Sequence, residues 1–319
     1  MRLKTLSAAL VLGLCSALAW LALRPGGEAR RLEIPPGTGA YGAAAILARE
    51  GVCPDWAFRA AAKLTGADRR LKPGVYLLRK GMGAFPALLV IREGRSERAR
   101  IVVPEGFMAA QIAARLEENG VCKAADFMEY VRANNLEGYL FPTTYFFDRG
   151  TPAVDVAHHM HDAFRAAMEP VFSASPQRRF TLSQALTLAA IVQREAKLSA
   201  EMPTIAAVYV NRLDRRMRLQ ADPTVQYALG RDTGEWPKAL RRSDLRMLSK
   251  YNTYEYFGLP PGPICSPGVE ALKAALEPAR TDATYFVADD KGGHIFSRTN
   301  EEHLQARAKV KRERRLQQK

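Results

Sequence analysis

Glu195 is a carboxyl at the end of an apolar helical stretch, a setting in which a carboxyl can do acid–base chemistry. The segment Phe180–Lys197, FTLSQALTLAAIVQREAK, reads as a helix. Thr181 followed three residues later by Gln184 is a capping-box pattern, and Leu, Ala and Ile fill the body. Glu195 lies seven residues after Leu188 and four after Ile191, so at 3.6 residues per turn it continues the face that carries Leu188, Ile191 and Val192. A carboxyl placed there is partly desolvated. Desolvation disfavours the ionised form, raises the pKa and keeps a glutamic acid able to donate a proton near neutral pH. An ion pair to Arg212 is the structural alternative for the same residue.

Two polar clusters follow. Asn211-Arg212-Leu213 ends a helix, and Met217-Arg-Leu-Gln220-Ala-Asp222-Pro223-Thr224 enters a loop rich in amide, carboxylate and hydroxyl groups. Tyr251-Asn252-Thr253-Tyr254 precedes the turn-forming runs Gly258-Leu-Pro-Pro-Gly262 and Ser266-Pro267-Gly268. Aromatic rings beside amides suit sugar faces and N-acetyl groups, and Pro/Gly turns hold such loops stiff. Gln220, Asp222, Asn252, Thr253 and Tyr254 are therefore candidates for positioning a substrate, although Asp222 before Pro223 reads equally well as a turn residue. His158, His159 and His161 form the other cluster. Only His158 and His161 share a helix face, no carboxylate-containing zinc motif accompanies them, and the four cysteines have no zinc-site spacing. No metal and no cofactor is expected.

The elements that carry these residues follow an internal repeat. A shift of 69 positions lays Ile34-Pro-Pro-Gly37 on Val103-Pro-Glu-Gly106 and Gly51-Val52-Cys53 on Gly120-Val121-Cys122, with ten of 25 residues identical between positions 34 and 58. Each copy reads as a strand ending in a Pro/Gly turn, two helices (40–50 and 54–64; 108–119 and 124–134) and a closing strand, Gly74–Leu78 or Gly138–Phe141. A β-α-α-β unit of this size matches small glycan-binding modules, and a plain spacer matches it equally. Cys53 and Cys122 are equivalent in the two copies, and equivalence does not make them a disulfide.

Residues 6–23, LSAALVLGLCSALAWLAL, carry no charge and as a helix span about 27 Å, close to a hydrocarbon core. They read as an uncleaved anchor; a cleaved signal peptide is the rival, because Ala17-Leu18-Ala19 resembles a cleavage site. The net charge is +14, from 47 Lys+Arg against 33 Asp+Glu, and the last 13 residues hold seven Lys/Arg and one acid. Such a run is a solvated helix end before it is a nucleic-acid arm, and no nucleic-acid-binding signature accompanies it. At 47% hydrophobic and 25% charged, the chain is neither disordered nor fibrous.

The string from Leu188-Ala-Ala-Ile-Val-Gln-Arg-Glu195 through N-R-L, M-R-L-Q-A-D-P-T-V-Q-Y, Y-N-T-Y, G-L-P-P-G-P-I and S-P-G to Gly293-His294-Ile-Phe296 resembles the endolytic murein transglycosylase (YceG-like) family, as does Glu137-Gly-Tyr-Leu-Phe-Pro142. The resemblance implies a lyase that cuts nascent peptidoglycan strands at the MurNAc-β-1,4-GlcNAc bond and leaves 1,6-anhydro-MurNAc ends, with Glu195 as the catalytic acid. It implies a single-pass protein of the bacterial inner membrane with an extracytoplasmic catalytic domain, whose partners are glycan strands, the membrane and the peptidoglycan synthases of the elongation machinery. A wall-binding scaffold without catalysis is the alternative. Gln193 stands where many relatives have a second Glu, and Thr143 replaces an Asp common after the Phe-Pro pair. The expected architecture is α+β: a cytoplasmic N-terminus at 1–5, a transmembrane anchor at 6–23, a first LysM-like module with its connector at 24–102, a second at 103–147, and a mixed α/β catalytic domain with a basic tail at 148–319.

Overall fold

The structure, a computed structural model, describes residues 23–68, 70–94, 98–175, 179–290 and 292–317. The expected anchor lies outside these residues except for Leu23, and among the described residues no helix is long and apolar enough to cross a membrane. The fold is mixed α+β, with helices and two-stranded sheets in two compact units. One comprises the described residues up to Arg100 with 119–121 and 146–151; the other comprises 101–118, 122–145 and those from 152 onward. Most of the expected second module, 103–147, thus shares a compact unit with the expected catalytic residues.

In the first unit β1 (Ala29–Ile34) pairs antiparallel with β2 (Gly74–Arg79), Ala29 opposite Arg79 and Ile34 opposite Gly74. Alternation puts Leu32 and Ile34 of β1 and Tyr76 and Leu78 of β2 into the core. Helices α1 (Ala40–Arg49) and α2 (Asp55–Leu64) close it with Ala43, Ala44, Leu47, Phe58, Ala61 and Ala62. The periodicity of this copy left out α3 (Ala84–Glu93), which buries Ala87, Leu88 and Ile91 and ends on Gly94 in the left-handed conformation.

The repeat extends to the backbone. Gly37 and Gly106 have φ of 78° and 80°, and Gly51 and Gly120 have 69° and 67°, so each pair makes the same left-handed turn 69 residues apart. Helices α4 (Ala109–Glu118) and α5 (Ala124–Ala133) occupy the expected places. The closing strand of the second copy does not. It is β4 (Thr144–Asp148), which pairs with β3 (Arg98–Val102), while Gly138–Phe141 belongs to a turn. Gly138 explains the shift: its φ is +83°, and a Cβ there would lie 2.3 Å from Cβ of Pro263. Gly138→Ala is therefore expected to cost roughly 2–5 kcal/mol, the sum of a left-handed alanine and an overpacked contact, measured by denaturant unfolding. Cys53, Cys122 and Cys265 are all free thiols.

The core of the second unit is built around α7 (Leu182–Glu195), against which α8 (Met202–Asp214), α9 (Asp222–Gly230) and α10 (Val269–Leu276) pack. The expected capping box is present: the Gln184 N–H donates to Thr181 Oγ1 at 3.3 Å, and the Thr181 N–H to Gln184 Oε1 at 3.0 Å. Where one apolar face was expected, every residue from Ala185 to Val192 is buried. A helix apolar on all sides is a central one, and α7 is the axis of this unit. Helix α6 (Ala153–Ala174) adds Met160, Phe164 and Met168 to the buried residues. His158, His159 and His161 on it face different rings, those of Tyr130, Tyr145 and Tyr139 respectively. A hairpin of β5 (Tyr285–Ala288) and β6 (His294–Ser297) follows, with Phe286 opposite Phe296. Helix α11 (Asn300–Gln317), which takes in the basic run from Arg307 to Gln317, packs on both strands of that hairpin.

Candidate active site

Glu195 is the last residue of α7, where the helix leaves the core, and it is half-buried. It opens into a cavity of about 390 Å³ whose walls also include Gln220, Asp222 and Tyr254. The Tyr209 hydroxyl donates to Glu195 Oε1 at 2.9 Å. Burial pushes the Glu195 carboxyl from 4.5 up to about 7; the Tyr209 bond, Arg212 and Arg194 oppose the shift, and the charge of Asp222 adds to it. The group is thus poised between proton donor and acceptor at neutral pH. Tyr209 is held well above its ordinary range by burial first and by Glu195 second, so it stays a fixed donor.

Arg212 does not form the ion pair that was the alternative for Glu195. It is buried, and its Nε and Nη1 donate to the carbonyls of Thr284 and Leu219, each at 2.6 Å, with the guanidinium 5.2 Å from the Tyr285 ring centroid. These bonds tie the end of α8 to the 217–221 segment and to the start of β5, which brings Gln220 and Tyr285 to the same cavity.

Of the five expected positioning residues, three line the cavity and two brace it. Asp222 is the first residue of α9, ahead of Pro223, so it starts the helix and also presents its carboxylate, which accepts from the Tyr254 hydroxyl at 2.5 Å. Gln220 sits at φ 48°, a left-handed conformation unusual for a residue with a side chain, held by its N–H donating to the Thr253 carbonyl at 3.1 Å. Thr253 is buried; its hydroxyl accepts from the Ala221 N–H at 3.0 Å and lies 2.9 Å from that of Thr224. Asn252, also buried, donates to the Leu245 and Met247 carbonyls at 3.0 and 2.9 Å and accepts from the Tyr254 N–H at 3.0 Å. Neither Asn252 nor Thr253 lines the cavity: a buried amide or hydroxyl must satisfy its bonds locally, and these two do so by shaping the loop.

A further wall comes from α11, of which only the part from Arg307 onward stands out in the sequence, as a solvated basic end. Asn300, His303 and Arg307 stand at spacings of three and four, share one helix face and line the cavity. His303 stacks on Tyr285 with ring centroids 5.3 Å apart, its Nδ1 is buried without a partner among the described residues, and burial, then Arg307 and Arg212, lower its pKa. The spacing was visible in the sequence, but the surrounding charge hid it. Tyr209 was the better-signalled omission, a hydroxyl within the buried run Ile205–Val210 that needed a partner.

The other motif residues hold the frame. Gln193 Oε1 accepts from the Gly268 N–H at 2.9 Å, fixing the Ser266-Pro-Gly268 turn against α7. His294 Nδ1 lies 2.7 Å from Glu201 Oε2 and its N–H donates to Oε1 at 2.9 Å, while Phe286 meets both His294 and Tyr209 edge to face.

A model of the YceG-like family matches residues 32–309. The chain belongs to the YceG-like family. Among its relatives, a Bacillus subtilis (strain 168) protein named endolytic murein transglycosylase is 32% identical over 306 residues, covering 87% of this chain and 84% of that protein. A Streptococcus pneumoniae (serotype 2 strain D39) protein of the same name is 28% identical over 270 residues, covering 73% of this chain and 49% of its own length, so the chain spans about half of that relative. The crystal structure of a YceG-like protein from Listeria monocytogenes aligns with a TM-score of 0.58 at 32% identity, over 88% of this chain and 99% of the other. The YceG-like match takes in Glu195, its cavity and both copies of the repeat.

Proposed function

We propose that this YceG-like chain is an endolytic murein transglycosylase that cuts the MurNAc-β-1,4-GlcNAc bond within peptidoglycan strands and leaves 1,6-anhydro-MurNAc ends. The observation that carries the reading is the Glu195 carboxyl, raised to about 7 by burial and held by Tyr209 in a cavity lined with amide, carboxylate and aromatic groups. Protonated Glu195 donates to the glycosidic oxygen as the bond to the leaving sugar breaks. The resulting carboxylate takes the proton from the MurNAc O6 hydroxyl as that oxygen attacks C1 of its own ring. One carboxyl serves both steps, and the nucleophile needs no activated water because the sugar already holds it in place. Tyr209 occupies Oε1, which leaves Oε2 for the proton transfers. Gln220, Asp222 and Tyr254 orient the sugar, and Asn252 and Thr253 orient those residues.

The same reading makes residues 6–23 a single-pass anchor in the bacterial cytoplasmic membrane, with the cutting unit outside it, beside the synthases that supply new strands. The repeat serves there as a LysM-like grip on glycan. An uncharged stretch long enough for a hydrocarbon core supports the anchor, and the β-α-α-β order supports the grip.

Digestion of purified glycan strands, read by mass spectrometry, tests the reaction. Anhydro-MurNAc ends are expected. Reducing MurNAc ends would mean hydrolysis, with Asp222 as the second carboxylate that an activated water requires.

A further inference from the structure

The second unit has another cavity, about 310 Å³, that shares no lining residue with the one at Glu195. Glu137, Asn135, Tyr139, Tyr227, Arg231 and Tyr251 line it. The Glu137 carboxyl accepts from the Ala109 N–H at 2.9 Å and from the Tyr227 hydroxyl at 3.2 Å, so it is held in one orientation. The Tyr227 and Tyr251 rings lie 4.8 Å apart at 55°, and the Arg231 guanidinium sits 5.9 and 5.7 Å from their centroids. Asp232 makes its closer ion pair, 2.9 Å, to Arg132 and stands 4.0 Å from Arg231. Asn135, just past the C-cap of α5, has φ 52° and closes that helix, its N–H donating to the Arg132 carbonyl and that of Leu136 to the Val131 carbonyl.

The same two elements line both cavities. Helix α9 presents Asp222 to the Glu195 cavity and Tyr227 to the other, with Arg231 just past its end; at ~1.5 Å per residue, Asp222 and Arg231 are about 13 Å apart along the helix. The Tyr251–Tyr254 turn presents Tyr254 to the first and Tyr251 to the second. A ligand that reaches both is therefore an extended one. The Tyr139 and Tyr251 rings are partly exposed and suit the apolar faces of pyranoses, the buried Tyr227 bracing Tyr251 and Glu137, and a fixed carboxyl, an amide and a guanidinium suit hydroxyl and acetamido groups.

We propose that the Glu137 cavity is a distal subsite that binds a sugar ring of the same glycan strand, away from the bond that Glu195 cleaves. The inference rests on the reading of this chain as a glycan-cutting enzyme. A grip remote from the scissile bond makes the second contact intramolecular once the first is made, and so confers a preference for long strands.

The test uses the full chain carrying Glu195→Gln, titrated calorimetrically with peptide-free glycan oligomers from the disaccharide upward. Adding Arg231→Ala, or separately Tyr251→Ala, is expected to weaken binding of long oligomers about tenfold while the disaccharide shifts far less, so the length dependence collapses. Circular dichroism melting checks that each variant is folded, and Arg231→Ala stands alone if Tyr251→Ala is not. An equal loss at every length, or no loss, overturns the subsite. The same titration is repeated with strands that carry stem peptides, and a loss confined to those overturns it too and makes the cavity a peptide site. Wild-type protein that binds long oligomers with this length dependence yet releases no anhydro ends sinks the transglycosylase reading and leaves the subsite supported.

Discussion

Glu195→Gln is expected to lower endolytic cleavage by about two to four orders of magnitude, the range general acid–base catalysis contributes, and to make the protein more stable at alkaline pH. The loss follows because the amide can neither donate to the glycosidic oxygen nor take the O6 proton. The gain follows from the sign of the pKa shift. Glu195 goes from 4.5 to about 7 on folding, with burial the leading cause, so the folded state holds its proton through that interval and the unfolded state does not. Wild-type stability from this group is fully present below about pH 4.5 and is lost as the pH rises through about 7, where an ionised carboxylate must stay desolvated. Glutamine carries no charge at any pH. The variant should therefore melt higher than wild type at pH 8, and the gap should close by pH 5. Glu137, which burial also raises to about 7, titrates in both proteins and cancels from the comparison. Thermal unfolding at the two pH values reads the difference. A variant that melts lower at pH 8, or that keeps a tenth of the activity, would remove Glu195 from the acid's role. For wild type, kcat/KM should fall above about pH 7 as the acid loses its proton.

The second large effect is structural and lies at Arg212. Arg212→Met keeps much of the side-chain volume but removes both donors, leaving the Thr284 and Leu219 carbonyls without their 2.6 Å bonds in buried surroundings. Each orphaned buried group costs about 1–3 kcal/mol, so a loss of roughly 2–6 kcal/mol in unfolding free energy is expected by denaturant titration. Gln220 and Tyr285 lose their common anchor at the same time, and activity should drop even at temperatures where the variant is folded. Arg212→Lys keeps the charge but cannot form the fork, and should recover only part of the stability. Full recovery by lysine would mean that charge near Glu195, and not the two carbonyl bonds, is what Arg212 supplies.

How much could be read without coordinates varied with the kind of signal. Helix α7, its capping box and the place of Glu195 on it were legible because a repeating apolar pattern and a local cap are properties of neighbours in the chain. The same holds for α1, α2, α4, α5 and the paired glycines of the repeat. The strand expected at Gly138–Phe141 failed because apolar alternation said nothing of Gly138, whose left-handed backbone lies against Pro263, 125 residues later. Asn252 and Thr253 looked like ligand-facing polar groups; only the path of the loop shows that their partners are backbone carbonyls, two backbone amides and Thr224.

The sequence by itself determined the chemistry on offer: one glutamic acid at the end of an apolar helix, a set of amides and tyrosines able to meet sugar, and a duplicated β-α-α-β pattern. Tertiary structure alone decided which of those groups share a cavity. It brought Tyr209 to the carboxyl, made α11 a wall carrying Asn300, His303 and Arg307, and set Glu137 in a cavity of its own. The reason is physical. A residue's type and helical phase are local, whereas its desolvation and its hydrogen-bond partners depend on what distant parts of the chain pack against it, and it is desolvation that raises Glu195 to about 7.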